Sequence, residues 1–302
     1  MNDTTVNGPA APRVIVALDF DDRSAAEALV ARLGGACGFY KVGLELLTAA
    51  GPDLVRGLVD QGHEVFLDLK LFEIPNSVAG AVRAAGSLGA SVVTVHSMGG
   101  TGIMTAAVDA AREFPGLRVL ALTVVTSTTG SDLADIGIGG GTEEQVLRLA
   151  RLAAGAGCDG VVGSPREAGP LRKLLGRLFR ILSAEPAASG FVPGRAVGAL
   201  AYWAYVVASA VRPGAVPGAA GPARSERDGL GPDRLIVTPG VTLPGVTLPG
   251  GKPPAGTGGH ARADTPWAAF AAGASHVVVG RSVTRAADPV AALRLIGGGR
   301  PR

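Results

Sequence analysis

Cysteine is almost missing: Cys37 and Cys158 are the only two in 302 residues. They stand far apart, outside any Cys-x-x-Cys or Cys/His spacing, which excludes a disulfide framework and a thiolate zinc site. A reducing, cytoplasmic setting follows as the expectation. There is no excess of one charge, with 28 Lys and Arg against 25 Asp and Glu. The basic residues are scattered singly, so nothing tracks a nucleic-acid backbone, and a small anionic ligand suits the chain better. No apolar run is long enough for a membrane: the longest, Ala196 to Val211, falls short of the roughly 20 residues a span needs. The first 12 residues lack the apolar centre of a secretion signal and read as a disordered leader. No GxGxxG turn follows the first strand-like run, and no other nucleotide-cofactor motif is present. His96 and His260 have no partner at the spacing of a metal site or a catalytic triad.

What is abundant is apolar residue, 47% of the chain, enough for a sizeable core. Short runs of Val, Ile and Leu alternate with helical segments, the pattern of parallel strands joined by crossover helices. Strands are expected at 14–19, 38–43, 65–70, 92–96, 118–124, 160–164, 235–238 and 276–280. Eight of them predict closure into a (β/α)8 barrel, a TIM barrel, with a doubly wound open sheet as the competing architecture. Between strands, Val146, Leu149, Ala150 and Ala153 form one helical stripe within Thr142 to Gly157, and Gly157 stops that helix.

One barrel domain is therefore expected over 13–297, broken twice. Residues 177–231, rich in Ala, Gly, Pro and Arg, are far longer than a normal connection in such a barrel. Their apolar run leaves an extra helix, a partner surface and poorly ordered chain as equal alternatives. The segment 241–262 is Gly/Pro-rich and opens on VTLPG twice in succession, which marks a flexible loop.

The chemistry concentrates in Val65-Phe66-Leu67-Asp68-Leu69-Lys70-Leu71-Phe72-Glu73-Ile74-Pro75-Asn76-Ser77. Strand alternation sends Asp68 and Lys70 to one face and the leucines to the other. A charged pair inside a barrel is costly unless it serves a site, and barrel sites lie at the C-terminal ends of the strands. The alternative is a buried ion pair that only fixes packing. By the same period Asp19 ends the first strand on the inner face, and Lys41 sits near the end of the second beside Phe39. Four ionisable groups from three neighbouring strands thus converge. Across the barrel, Thr238-Pro239-Gly240 and Val279-Gly280-Arg281 end strands seven and eight. Backbone N–H groups there, with an arginine, form the usual phosphate site of this fold. Ser127 lies just beyond strand five, within reach of a ligand, and His96 is expected to be structural, hydrogen-bonded beneath the site.

These blocks resemble the orotidine 5′-phosphate decarboxylase family. The stretch Asp68 to Ser77 is similar to its DxKxxD…IPNT signature. Val16-Ala17-Leu18-Asp19, Tyr40-Lys41-Val42-Gly43, His96 with Gly99-Gly100, Thr238-Pro239-Gly240 and Val279-Gly280-Arg281 match its other blocks in order. The resemblance covers 13–176 and 232–297. It implies conversion of orotidine 5′-phosphate to uridine 5′-phosphate in pyrimidine synthesis, without cofactor or metal. Lys70 would be the proton donor, with Asp68, Lys41 and Glu73 as its catalytic companions, and Asp19 and Lys41 the ribose contacts. Ser127 would face the pyrimidine, while Pro239, Gly280 and Arg281 would line the phosphate side. It further implies a homodimer in which Glu73 and Ser77 reach the partner's site. Two positions depart from the pattern: Glu73 replaces an aspartate, and His260-Ala261-Arg262 stands where the phosphate loop has a glutamine two residues before an arginine. The alternatives are a magnesium-dependent sugar-phosphate decarboxylase or isomerase on the same framework, and a catalytically impaired homologue whose insertion is an interaction module.

Overall fold

The computed structural model describes residues 13–182, 235–241, 243 and 264–297. The leader, the insertion beyond Leu182 and most of the 241–262 loop, including His260, lie outside the described residues.

Eight strands form a closed, wholly parallel barrel in chain order: β1 Arg13–Ala17, β2 Phe39–Gly43, β3 Glu64–Leu71, β4 Val92–His96, β5 Arg118–Leu122, β6 Gly160–Val162, β7 Leu235–Val241 and β8 His276–Val279. Closure is made by β1 against β8, with Ile15 beside Val278. Each strand lies where the sequence places one, with ends moved by a few residues. Thus β1 stops before Asp19 and β7 runs on to Val241.

The strands are apolar on both faces because both are buried. Ile15, Ala17, Phe39, Phe66, Val92, Leu120, Leu122, Val162, Leu235, Val237 and Val278 fill the barrel interior. The alternate residues, among them Val16, Leu18, Tyr40, Val42 and Leu67, pack outward in a second, larger core. Burying each such large side chain contributes about 1.5–3 kcal/mol. The helices covering that outer core are α1 Arg23–Leu33, α2 Leu44–Ala50, α3 Pro52–Asp60, α4 Pro75–Ser87, α5 Gly100–Ala111, α6 Gly130–Asp135, α7 Thr142–Gly155, α8 Ala168–Leu182, α9 Pro266–Ala271, α10 Arg281–Thr284 and α11 Pro289–Gly297.

In α7 the expected stripe of Val146, Leu149, Ala150 and Ala153 is the buried face. Its stop is physical: Gly157, at φ 84°, donates to the Ala154 carbonyl (3.2 Å), and Cys158 donates to the Ala153 carbonyl (3.0 Å). This paired ending needs a left-handed residue, which only glycine adopts without strain. The same ending recurs at Gly89 and Gly273, where Ala90 and Ala274 bond back to Ala85 and Ala269. In each case the chain is turned directly into the next strand. These short returns leave the opposite, C-terminal end of the barrel to the longer loops, and so to the site.

Candidate active site

Three neighbouring strands bring four charges into a line at that end. Lys41 projects inward from β2, 9% exposed. Its ammonium lies 2.9 Å from Asp19 Oδ1 and 3.8 Å from Asp68 Oδ2. The other side of Asp68 Oδ2 is taken by the Lys70 ammonium at 2.8 Å. The order Asp19–Lys41–Asp68–Lys70 therefore alternates in sign, and the two largely buried members, Lys41 and Asp68, each have opposite neighbours, without which their desolvation would be costly. Asp19 is the most exposed member, placed just past β1, where the Leu18 N–H still bonds to the Lys41 carbonyl at 2.9 Å. Gly43 keeps the line open: a Cβ there would sit 3.3 Å from the Lys41 ammonium.

Lys70 reaches this line by a route that simple alternation does not foresee. The β3–β4 ladder loses register between Leu67, opposite Val93, and Leu71, opposite Val95. Within that bulge Lys70 adopts φ 48°, alone among the described non-glycine residues in having a positive φ. For an L-residue this is strained and persists only where the surroundings impose it. The Lys70 N–H donates to Thr94 Oγ1 (2.9 Å), and Thr94 donates in turn to Asp68 Oδ1 (3.1 Å). Thr94 was not singled out from the sequence, although Val92, Thr94 and His96 share one face of β4 and a hydroxyl on an inner face was the available signal.

His96 ends β4 and is partly buried. Its Nδ1 accepts from the Met98 N–H at 3.3 Å, and its ring lies 5.6 Å from that of Phe72. Burial, and after it the nearby Lys70 charge, push its pKa below the usual imidazole value, so a neutral ring is favoured.

On the far side, β7 and β8 shift register between Thr238 and Val241. Pro239 lies in that interval, where a residue without an N–H is tolerated. Gly280 precedes α10, which starts at Arg281 with its side chain exposed. A Cβ on Gly280 would be 3.8 Å from Asp19 Oδ2, so the Gly-Arg corner adjoins the charge line. Ser127 is exposed in the turn after β5, at the same end of the barrel.

Glu73 and Ser77 are not brought to the line. Both are exposed at the start of α4. The neighbouring Ser77 hydroxyl, and after it the Ile74 N–H, hold the Glu73 carboxyl below the usual carboxylate pKa. Phe72 and Ile74 beside it are exposed at 61% and 62%.

Residues 12–199 and 199–296 match the sequence pattern of the Orotidine 5'-phosphate decarboxylase / HUMPS family. The chain belongs to that family. Orotidine 5'-phosphate decarboxylase from Idiomarina loihiensis is 38% identical over 286 residues, covering 94% of this chain and 96% of the relative. The protein of the same name from Halorhodospira halophila is 40% identical over 291 residues, 95% of each. Among solved structures, orotidine 5'-phosphate decarboxylase from Lactobacillus acidophilus superposes with a TM-score of 0.65 at 29% identity, covering 95% of this chain and 98% of that one. Family membership spans the whole barrel, strands seven and eight included.

Proposed function

We propose that this family member decarboxylates orotidine 5′-phosphate to uridine 5′-phosphate, the step its named relatives carry in their names. The observation that carries this is the alternating line Asp19–Lys41–Asp68–Lys70 at the barrel mouth, ending on an ammonium 2.8 Å from its carboxylate. In the reaction the bond from C6 of the pyrimidine to the carboxylate breaks, carbon dioxide leaves, and the electron pair stays on C6. The ring's π system cannot easily delocalise that pair, so it must be stabilised electrostatically. The Lys70 ammonium faces the developing charge and then transfers its proton to C6; it is reprotonated from solvent. Asp68 and Lys41 hold that ammonium charged and in place, and Asp68 lies beside the substrate's carboxylate.

Asp19 and Lys41 take the ribose hydroxyls, and Ser127 the pyrimidine. Pro239, Gly280, Arg281 and, from the loop, His260 take the phosphate, whose binding energy drives closure of the loops over C6. Glu73 and Ser77, both exposed at the surface, serve the site of a second copy. The exposed Phe72 and Ile74 flank Glu73 on a surface suited to that contact. The chain acts in pyrimidine synthesis as a cytoplasmic homodimer.

Lys70→Ala should abolish uridine 5′-phosphate formation in a steady-state assay while circular dichroism and the melting temperature stay near the parent's. Decarboxylation at close to the parent rate by that variant would remove Lys70 from its role.

A further inference from the structure

Opposite the break in the β3–β4 ladder stands one side chain, Thr94, with no exposed surface. The bulge takes the Lys70 N–H out of the regular strand ladder, and a buried N–H must find another acceptor. Thr94 Oγ1 is that acceptor, at 2.9 Å. A hydroxyl has a single proton to give, and here it goes to Asp68 Oδ1 at 3.1 Å. The two oxygens of Asp68 are thereby sorted: Oδ1 belongs to Thr94, and Oδ2 faces the ammonium groups of Lys70 (2.8 Å) and Lys41 (3.8 Å).

We propose that Thr94 is a positioning residue for the reaction, fixing through one hydroxyl both the left-handed backbone from which Lys70 projects and the plane of the Asp68 carboxylate. The claim rests on the role given to Lys70 above. The Lys70 side chain begins at a residue with φ 48°, a conformation a lysine does not hold unaided. Its ammonium can face C6 only while the backbone stays there and Asp68 keeps its orientation. A barrel with a valine at 94 has the same volume but leaves the Lys70 N–H and Asp68 Oδ1 without this partner.

The experiment compares Thr94→Val, Thr94→Ser and Lys70→Ala by steady-state kinetics and thermal melting. Displacing a reacting group by about 1 Å costs roughly a hundredfold in rate. Thr94→Val should therefore lower kcat by about a hundredfold while KM stays within about threefold, since the phosphate and ribose contacts are untouched. Thr94→Ser, which keeps the hydroxyl but loses a packed methyl, should melt lower than the parent and yet recover most of kcat. A purely packing role predicts the reverse ranking, with serine the slower variant. A parent-like kcat for Thr94→Val, or a Thr94→Ser enzyme as slow as Thr94→Val, overturns the proposal. If Thr94→Val does not fold, Thr94→Cys supplies the same reading: a weak thiol donor of similar size should lower kcat at least about tenfold, and an unchanged kcat overturns the claim. Lys70→Ala separates the two levels. An inactive Lys70→Ala beside a parent-like Thr94→Val removes Thr94 alone, whereas an active Lys70→Ala removes both.

Discussion

His96 shows how a residue without a metal or triad partner is still tuned by the site beside it. Its ring is held below the ordinary imidazole pKa of 6.5, first by burial and then by the Lys70 charge. When the folded value lies below the unfolded one, the unfolded chain binds the proton first as pH falls. The contribution of neutral His96 to stability is thus fully present above the ordinary value and is lost as pH drops from there through the depressed folded value. Replacing it by a residue that does not titrate removes that slope. For His96→Asn the fall in melting temperature between about pH 7 and pH 5 should be shallower than the parent's; scanning calorimetry at several pH values checks this. A slope equal to the parent's would mean that the ring titrates alike in both states. At the same scale, residue types in Asp19, Lys41, Asp68 and Lys70 were legible as a site because charges recur on the inner faces of adjacent strands. Thr94 was less so, since a hydroxyl among valines gives no charge signal.

Among the elements, β3 and β6 show what strand periodicity conveys and what it omits. Periodicity located both strands, and at β3 it separated the two faces, because both core layers demand apolar side chains at alternate positions. It gave no sign of the register shift between Leu67 and Leu71, which arises from how β3 meets β4 and not from β3 alone. At β6 the constraint is close approach: a Cβ on Gly160 would lie 2.2 Å from the Leu235 carbonyl oxygen of β7. That atom is backbone, so it cannot swing aside as a side chain might. Gly160→Ala should therefore strain the β6–β7 seam and destabilise the barrel by about 1–3 kcal/mol, as overpacking does. Urea unfolding followed by circular dichroism measures it, and a parent-like midpoint would show that the seam can open without cost.

The molecule as a whole leaves one acid of the expected site exposed and outside the ion pairs of the charge line. Glu73 is exposed, with Phe72 and Ile74 exposed alongside. A twofold partner would use the same patch on both copies. Co-expressed Lys70→Ala and Glu73→Ala chains test this, since a heterodimer pairs one intact Lys70 with one intact Glu73. Random pairing of two chains should restore roughly a quarter of parent activity, although each variant alone is slow. Mixtures no faster than the better variant would show that Glu73 serves no second copy.

The amino-acid sequence alone determined the eight-strand barrel, the inward charges and the Gly-Arg end of strand eight, because these depend on local periodicity and on residue type at strand ends. Tertiary structure alone decided that Lys70 sits on a left-handed backbone, that Thr94 bridges it to Asp68, and that Glu73 is exposed. Those outcomes depend on the register between neighbouring strands and on the direction in which a loop leaves the barrel. Neither is encoded in the pattern of any single segment.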